Sequence, residues 1–471
     1  MRRANRGRVA NLFRVIPSPD ICERALEARD ARFDGVFYVG ITSTGVYCRP
    51  VCPSRFASSD HRRFFASAAS AEHAGFRPCL RCRPELAPGR GQLEALPRLA
   101  QAAADRIAAG ALNGHGVANL AAELGVSERH LRRAVERAIG VSPIALAQTH
   151  RLLLAKQLLV DTSLSVTQIA FASGFQSLRR FNSVFRERYR LSPTAVRRTA
   201  GTFVPKSNDL IRLTLAYRPP LAWDALLSHL TAGALPGVEV IGNGHYARTV
   251  RLDNRSGVIL VEDACIGKAH LNVDLSPTLL PVLMPLLAKI RRLFDLDAEP
   301  TVVDSHLAEG GLAEQVALRP GLRVPGAFDG FEVALALLLR TGPEDLARRV
   351  IANLGQPFAT ETPGLTVLAP CASRVAEAGA ARLRALGAPP RLAESIEALA
   401  IAVSEGTVKL EPGGDAATVR RALIAITGVD EQLATTIVMR ALHWPDAFPA
   451  PDPRAEPWRP WRAYAALHLA G

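Results

Sequence analysis

The chain has 471 residues, 48% of them hydrophobic, with 57 Lys+Arg against 44 Asp+Glu and a formal net charge of +13. That length exceeds what one core supports and points to about three domains, and the apolar content excludes wholesale disorder. No apolar run approaches the ~20 residues of a membrane helix; the best, FEVALALLL (331–339), is less than half that.

Charge is unevenly spread. Residues 1–200 hold 31 Lys+Arg against 15 Asp+Glu, and residues 201–471 hold 26 against 29. A basic front half on a near-neutral back half suggests that the front grips a polyanion, DNA or RNA. An Arg-rich composition from a GC-rich genome would look the same. The N-terminus MRRANRGRVANLFRV is basic, without an apolar core or small-residue cleavage site, so no signal peptide is read. A cytoplasmic (nucleoid) address is expected, where thiols stay reduced and close cysteine pairs signal metal or redox chemistry rather than disulfides.

Residues 18–88, closed by the Pro/Gly-rich PELAPGRG, carry Cys48-x3-Cys52 and Cys79-x2-Cys82 with 26 residues between the pairs. Four soft ligands in two short loops suit one tetrahedral Zn2+. Spacing alone is equally met by a structural zinc site with no chemistry. Cys22, Cys265 and Cys371 are isolated and read as packed thiols. What distinguishes the site is its surroundings, because Arg49, Arg55, Arg77, Arg81 and Arg83 crowd the ligands.

The stretches FYVGITSTGVYCRPVCPSR and AGFRPCLRCRPE resemble the N-terminal domain of the Ada methylphosphotriester repair proteins over about 70 residues. The resemblance implies that Cys48 is both zinc ligand and methyl acceptor, and that Thr44, Arg55 and Arg77 contact the DNA backbone. Where that family often has another Arg after its second cysteine, this chain has Pro53. The chemistry is coherent, since zinc keeps thiols deprotonated at neutral pH and the thiolate is the nucleophilic form. Four thiolates on Zn2+ carry −2, methylation leaves −1, and nothing regenerates the thiolate.

Residues 93–200 are helical by periodicity and contain a repeat: Val117, Leu120, Ala121 and Gly125 recur 49 positions later as Val166, Ile169, Ala170 and Gly174. In the first copy Gly125 makes a turn and Ser127 caps a second helix that buries Leu131, Val135 and Ala138. Arg129, Arg132 and Arg133 then face out. The second copy buries Phe181 and Phe185 and exposes Arg179, Arg180, Asn182 and Arg186. Exposed Arg and Asn on such a helix can reach phosphates and base edges in a major groove; a solvated face on a helical bundle is the bland alternative. The segment resembles AraC-type regulators, two helix-turn-helix units joined by a long helix, here about 144–159. That resemblance implies double-stranded DNA as partner, and RNA polymerase as a further one.

Residues 209–320 mix alternating pieces such as IRLTLAY and SGVILVED with helical ones such as LLPVLMPLLAKIRRLF. Residues 325–471 are mostly helical. From about 209 onward the chain resembles the AlkA family of alkyl-base DNA glycosylases, through YRPPLAWDALLSHL, LFDLDAEP, RPGLRVPGAFDGFEVA, ALIAITGV, DAFPAPD and WRPWRAYAALHL. The resemblance implies a sheet-containing lead domain, a helix-hairpin-helix domain and an essential aspartate, which falls on Asp452. Such enzymes flip the damaged base out and stabilise the developing oxocarbenium with a carboxylate.

This part departs from its family. The hairpin, which uses backbone N–H groups to meet a phosphate, reads Gly428-Val429-Asp430 followed by Glu431, and two carboxylates there are expected to repel DNA. The segment after Leu339 runs several residues short, and the link from Asp452 to Trp458 over ten. Gln432, Thr436 and Ala470 stand where base-stacking aromatics are common.

The expected fold is therefore multidomain α+β: a zinc-binding α/β domain (18–88), an all-α double helix-turn-helix domain (93–200), a sheet-containing lead domain (209–320) and an all-α helix-hairpin-helix glycosylase domain (325–471). The expected function is an alkylation-response regulator that takes methyl from DNA methylphosphotriesters and excises alkylated bases. A self-methylating activator with a degenerate glycosylase body, or a structural-zinc regulator without methyl transfer, are the alternatives.

Overall fold

The computed structural model describes residues 16–88, 97–200, 210–264, 268–449 and 452–470. The basic N-terminal stretch 1–15, the end of the PELAPGRG linker and Cys265 lie outside the described residues. The chain forms two compact units, one from its N-terminal part to Gln157 with Phe175–Thr199, the other from Leu158–Gly174 with everything from Ala200.

The first unit opens with α1 (Pro19–Glu27) and strands β1 (Tyr38–Ile41), β2 (Val46–Cys48), β3 (Arg62–Phe65) and β4 (Arg77–Pro78), with α2 (Ala68–His73) between the last two. The sheet order is β3-β1-β2-β4. β1 pairs antiparallel with both neighbours, setting Val39 opposite Cys48, and β4 joins β2 in parallel with Val46 beside Arg77. A capping box between Ser67 and Ser70 starts α2.

Helices α3 (Arg98–Ala108), α4 (Val117–Glu123), α5 (Glu128–Ile139), α6 (Pro143–Asp161), α7 (Val166–Ala172), α8 (Leu178–Tyr189) and α9 (Pro193–Ala200) follow. The α4–α5 turn needs a left-handed residue and has Gly125 at φ 67. Ser127 then caps α5 by accepting from the His130 N–H. Leu120, Leu131 and Val135 pack with Ala103 and Ile107 of α3 into one core. Along α8, Phe175, Phe181, Phe185 and Tyr189 stack in a row, ring against ring.

The second unit contains α10 (Trp223–Thr231) and strands β5 (Ile211–Ala216), β6 (Glu239–Gly242), β7 (His245–Leu252), β8 (Arg255–Asp263) and β9 (His270–Leu275). They form one antiparallel sheet in the order β5-β9-β8-β7-β6. Helix α11 (Leu283–Leu293) leads into Phe294, whose ring packs on Trp223 and Tyr246 and so ties the helix end to the sheet.

Among the described residues, nine further α-helices follow: α12 (Pro300–Leu307), α13 (Ala313–Leu318), α14 (Gly330–Leu339), α15 (Leu346–Leu354), α16 (Ala372–Ala385), α17 (Pro390–Ser404), α18 (Ala416–Ile424), α19 (Glu431–Ala441) and α20 (Arg462–Ala470). FEVALALLL is α14, buried nearly all round in a core with Val350, Ile396, Leu399 and Ile437. A short hairpin, β10 (Gln356–Pro357) with β11 (Val367–Leu368), was not expected, because two-residue strands leave no alternation to read. The architecture is the expected multidomain α+β one. Among the described residues no helix is long and apolar enough to cross a membrane.

Candidate functional site

Cys48 ends β2, Cys52 follows in the next turn, and Cys79 and Cys82 sit in the loop after β4. The parallel β2–β4 pairing brings the two halves together, since the Cys79 N–H donates to the Tyr47 carbonyl at 2.9 Å. All four Sγ atoms lie within 4.8 Å of one another and all four residues are buried. Zinc–thiolate bonds of about 2.3 Å in a tetrahedron place sulfurs about 3.8 Å apart, so the donor set fits one such ion.

The four sulfurs are not equivalent. The Arg81 N–H donates to Cys79 Sγ at 3.3 Å and the Arg49 N–H donates to Cys82 Sγ at 3.4 Å. Cys52 is fully buried and its thiol interacts with the Ser54 hydroxyl. Cys48 receives no N–H donor among the described residues, and its exposure of 6% is close to the 8% of Cys79 and 7% of Cys82.

The arginine crowd divides in two. Arg49 forms a forked pair with Asp34, its Nε 2.7 Å from Oδ1, and its Nη1 donates to the Cys82 carbonyl at 3.1 Å. Arg83 pairs with Glu85 at 3.1 Å. These two brace the loops. Arg55 is exposed, Arg77 is half-buried, and neither has a carboxylate partner among the described residues. Thr44 is exposed in the β1–β2 turn, and the Arg77 N–H donates to the Gly45 carbonyl at 2.9 Å, so Thr44 and Arg77 share one edge of the sheet. The sequence did not separate bracing from free arginines, because Asp34 lies 15 residues from Arg49.

On the helix-turn-helix units, Arg129, Arg133, Arg179, Arg180 and Arg186 are exposed and Asn182 is half-buried. Arg132 is a partial correction: it does not simply face out but pairs with Glu128 one turn earlier, at 2.5 Å. The four-residue spacing was the available signal. Cys371 corrects another expectation, being an exposed N-cap residue of α16 rather than a packed thiol; Cys22 is buried as expected.

In the hairpin between α18 and α19, Gly428 has φ 85, and an added Cβ would lie 2.3 Å from Ser395 Oγ, so only glycine fits. Asp430 and Glu431, the two carboxylates expected to repel DNA, each have a partner. Asp430 caps α19, accepting from the Leu433 N–H at 2.7 Å, and Glu431 pairs with Arg420 at 2.6 Å. Gln432 and Ala470 are exposed, and Thr436 turns its hydroxyl onto the Gln432 carbonyl at 2.9 Å.

Asp452 is the N-cap of a short 3-10 helix, Pro453–Trp458. Its Oδ1 accepts from the Arg454 N–H at 2.9 Å, and Arg454 also clasps the carboxylate, Nη2 to Oδ2 at 2.7 Å. These hydrogen bonds hold the Asp452 carboxyl below the usual carboxylate range.

Comparison with known proteins matches three parts of the chain to families: residues 21–85 to the metal binding domain of Ada, 120–199 to a helix-turn-helix domain, and 212–329 to the AlkA N-terminal domain. A probable bifunctional transcriptional activator/DNA repair enzyme AlkA from Mycobacterium tuberculosis is 35% identical over 477 residues, 95% of each chain. DNA-3-methyladenine glycosylase 2 of Escherichia coli is 33% identical over 276 residues, 54% of this chain and 95% of that protein. The bifunctional transcriptional activator/DNA repair enzyme Ada of Escherichia coli is 33% identical over 150 residues, 31% of this chain and 40% of that protein.

Proposed function

The chain belongs to the family of bifunctional transcriptional activator/DNA repair enzymes of the AlkA type, and on that premise we propose that Cys48 accepts methyl from DNA methylphosphotriesters while Asp452 serves base excision. The protein is an alkylation-response DNA repair enzyme and transcriptional regulator whose cofactor is one Zn2+ and whose partner is double-stranded DNA. Cys48, Cys52, Cys79 and Cys82 would hold the zinc, which when bound keeps the thiols ionised at neutral pH.

The absence of an N–H donor on Cys48 carries the assignment. Hydrogen bonds to a thiolate withdraw electron density and lower its nucleophilicity, and they fall on Cys79 and Cys82, while Cys52 has no exposure. Cys48 Sγ attacks the methyl carbon; the S–C bond forms as the C–O bond breaks, and the phosphate oxygen keeps the electron pair. The products are a Cys48 thioether and an ordinary phosphodiester. Thr44, Arg55 and Arg77 hold the DNA backbone over Cys48, and Arg129, Arg132, Arg133, Arg179, Arg180, Asn182 and Arg186 read the duplex in the helix-turn-helix units. Methylation removes one negative charge facing the backbone and so favours operator binding, with RNA polymerase as a further partner and the cytoplasmic nucleoid as the place of action. With methylphosphotriester DNA in excess, transfer should stop at one methyl per chain, and Cys48→Ser should abolish it; continued turnover or an active Cys48→Ser variant would refute this reading.

For the C-terminal half, the Arg454 clasp on Asp452 favours a weak glycosylase. A cation beside the carboxylate offsets the charge meant to stabilise the oxocarbenium. The domains follow the boundaries 18–88, 93–200, 209–320 and 325–471, with Gly428 presenting its hairpin to DNA.

A further inference from the structure

Helix α6 of the DNA-reading segment presents one stripe to the thiol domain. Thr149, Leu153 and Lys156 are four and three residues apart and so lie on one helix face. Thr149 donates its hydroxyl to Glu72 Oε2 at 2.8 Å, and Glu72 Oε1 accepts from the Tyr47 hydroxyl at 3.1 Å, Tyr47 being the residue before Cys48. Leu153 packs against the cluster of Tyr38 and Tyr47. Lys156, fully buried, donates Nζ to the Cys79 carbonyl at 3.0 Å and to Glu85 Oε2 at 2.5 Å. It thereby grips both ends of the segment that carries Cys79 and Cys82. From α8, Arg188 Nη1 donates to the Glu72 carbonyl at 3.1 Å.

A buried ammonium–carboxylate pair is a poor way to add stability, because desolvation consumes much of the attraction. Its better-attested use is to fix a register, and here it fixes the helix that joins the two helix-turn-helix units against the loop that carries two of the four thiols. We propose that Lys156 is a positioning residue that couples the methylation state of the thiol cluster to operator binding through α6, in addition to any repulsion between the cluster and phosphate. This rests on the reading of Cys48 given above. Coupling of this kind is reciprocal in free energy: operator DNA bound by the helix-turn-helix units must favour the methylated cluster by the same factor as methylation favours operator DNA, and the same contact lets the duplex act on the loop that would hold zinc. Because the contact is buried, it is screened little by salt, whereas repulsion across solvent fades within a Debye length.

The test uses the full chain and a duplex enriched from a random-sequence pool by the methylated protein. Operator affinity is measured before and after methylation, from low to high salt, for wild type, Lys156→Met with Glu85→Gln (which removes both charges of the buried pair), Glu85→Gln alone (which controls for the carboxylate taken from Arg83), Lys156→Arg, and Thr149→Val. Wild type should keep a methylation-dependent gain of about fivefold at high salt, the low end of ordinary coupling. The double variant should lose that component, Lys156→Arg should restore part of it, and Thr149→Val should diminish it. A gain that vanishes in wild type at high salt, or persists unchanged in the double variant, overturns the inference. A second readout needs no methyl transfer: the enriched duplex should change the rate at which zinc passes to a chelator in wild type and not in the double variant. Wild type that takes no methyl on Cys48 yet shows this duplex-dependent zinc release would refute the reading of Cys48 and keep the coupling; equal release rates with and without duplex would refute the coupling alone.

Discussion

Arg454 closes a fork on Asp452 from two residues away, with Nε 3.1 Å from both carboxylate oxygens and Nη2 2.7 Å from Oδ2. The guanidinium is largely exposed, at 84%, so the pair can open when a substrate displaces it. Base release from methylated DNA should fall ~10²–10³-fold in Asp452→Asn, the usual loss for an electrostatic stabiliser of this kind. Arg454→Gln should raise the rate severalfold by removing the cation beside the sugar. A protein inactive in both forms and indifferent to Asp452 would favour a regulator whose glycosylase body has no activity.

In the hairpin, charge and structure can be separated. Asp430→Asn keeps a cap on α19 while removing a negative charge from the hairpin proposed to meet phosphate, so DNA should bind more tightly at low salt. Gly428→Ala should destabilise the protein by about 1–3 kcal/mol, since it adds a clash to a left-handed backbone. Thermal melts and non-specific duplex titrations read the two effects. Unchanged affinity in Asp430→Asn would show that the hairpin does not approach the backbone.

Glu72 makes the first unit sensitive to pH. Burial pushes its carboxyl up from 4.5 to about 7, opposed by hydrogen bonds from Thr149 and Tyr47 and by the charges of Arg188 and Lys156. A folded-state value above the unfolded one means that the folded chain holds the proton more tightly. The stabilising contribution is complete below about 4.5 and is lost as pH rises through about 7. Glu72→Gln should therefore gain Tm relative to wild type at pH 8 and not at pH 5. An equal difference at both values would contradict the assignment.

Methylation should tighten operator binding by ~5- to 30-fold at low salt, from removing ~1–2 kcal/mol of repulsion between one charge and a nearby phosphate. This electrostatic part of the gain should shrink as salt rises, leaving the component carried through Lys156. Fluorescence anisotropy on one enriched duplex reads it directly, and equal low-salt affinities before and after methylation would count against the switch.

The parts of the fold that were legible in the sequence are those set by local pattern. Cys48, Cys52, Cys79 and Cys82 announce one ion by spacing, and the structure gathers them within 4.8 Å. Gly125 and Ser127 mark a turn and a cap by residue type, and both hold. What escaped depends on partners far along the chain. Nothing beside Lys156 in the sequence marks its role, since its two contacts lie 77 and 71 residues away. Arg49 and Arg55 look alike beside the cysteines until Asp34 takes one of them. Asp430 reads only as a negative charge, because its capping role shows only once the start of α19 is fixed.

The most direct test of the central claim is peptide mapping by mass spectrometry after full-length, zinc-loaded protein has reacted with methylphosphotriester DNA. One methyl group should appear on the peptide containing Cys48, on the Cys48 sulfur, with Cys52, Cys79 and Cys82 unmodified. Methyl on one of those three cysteines, or no methyl on any of the four, would contradict it.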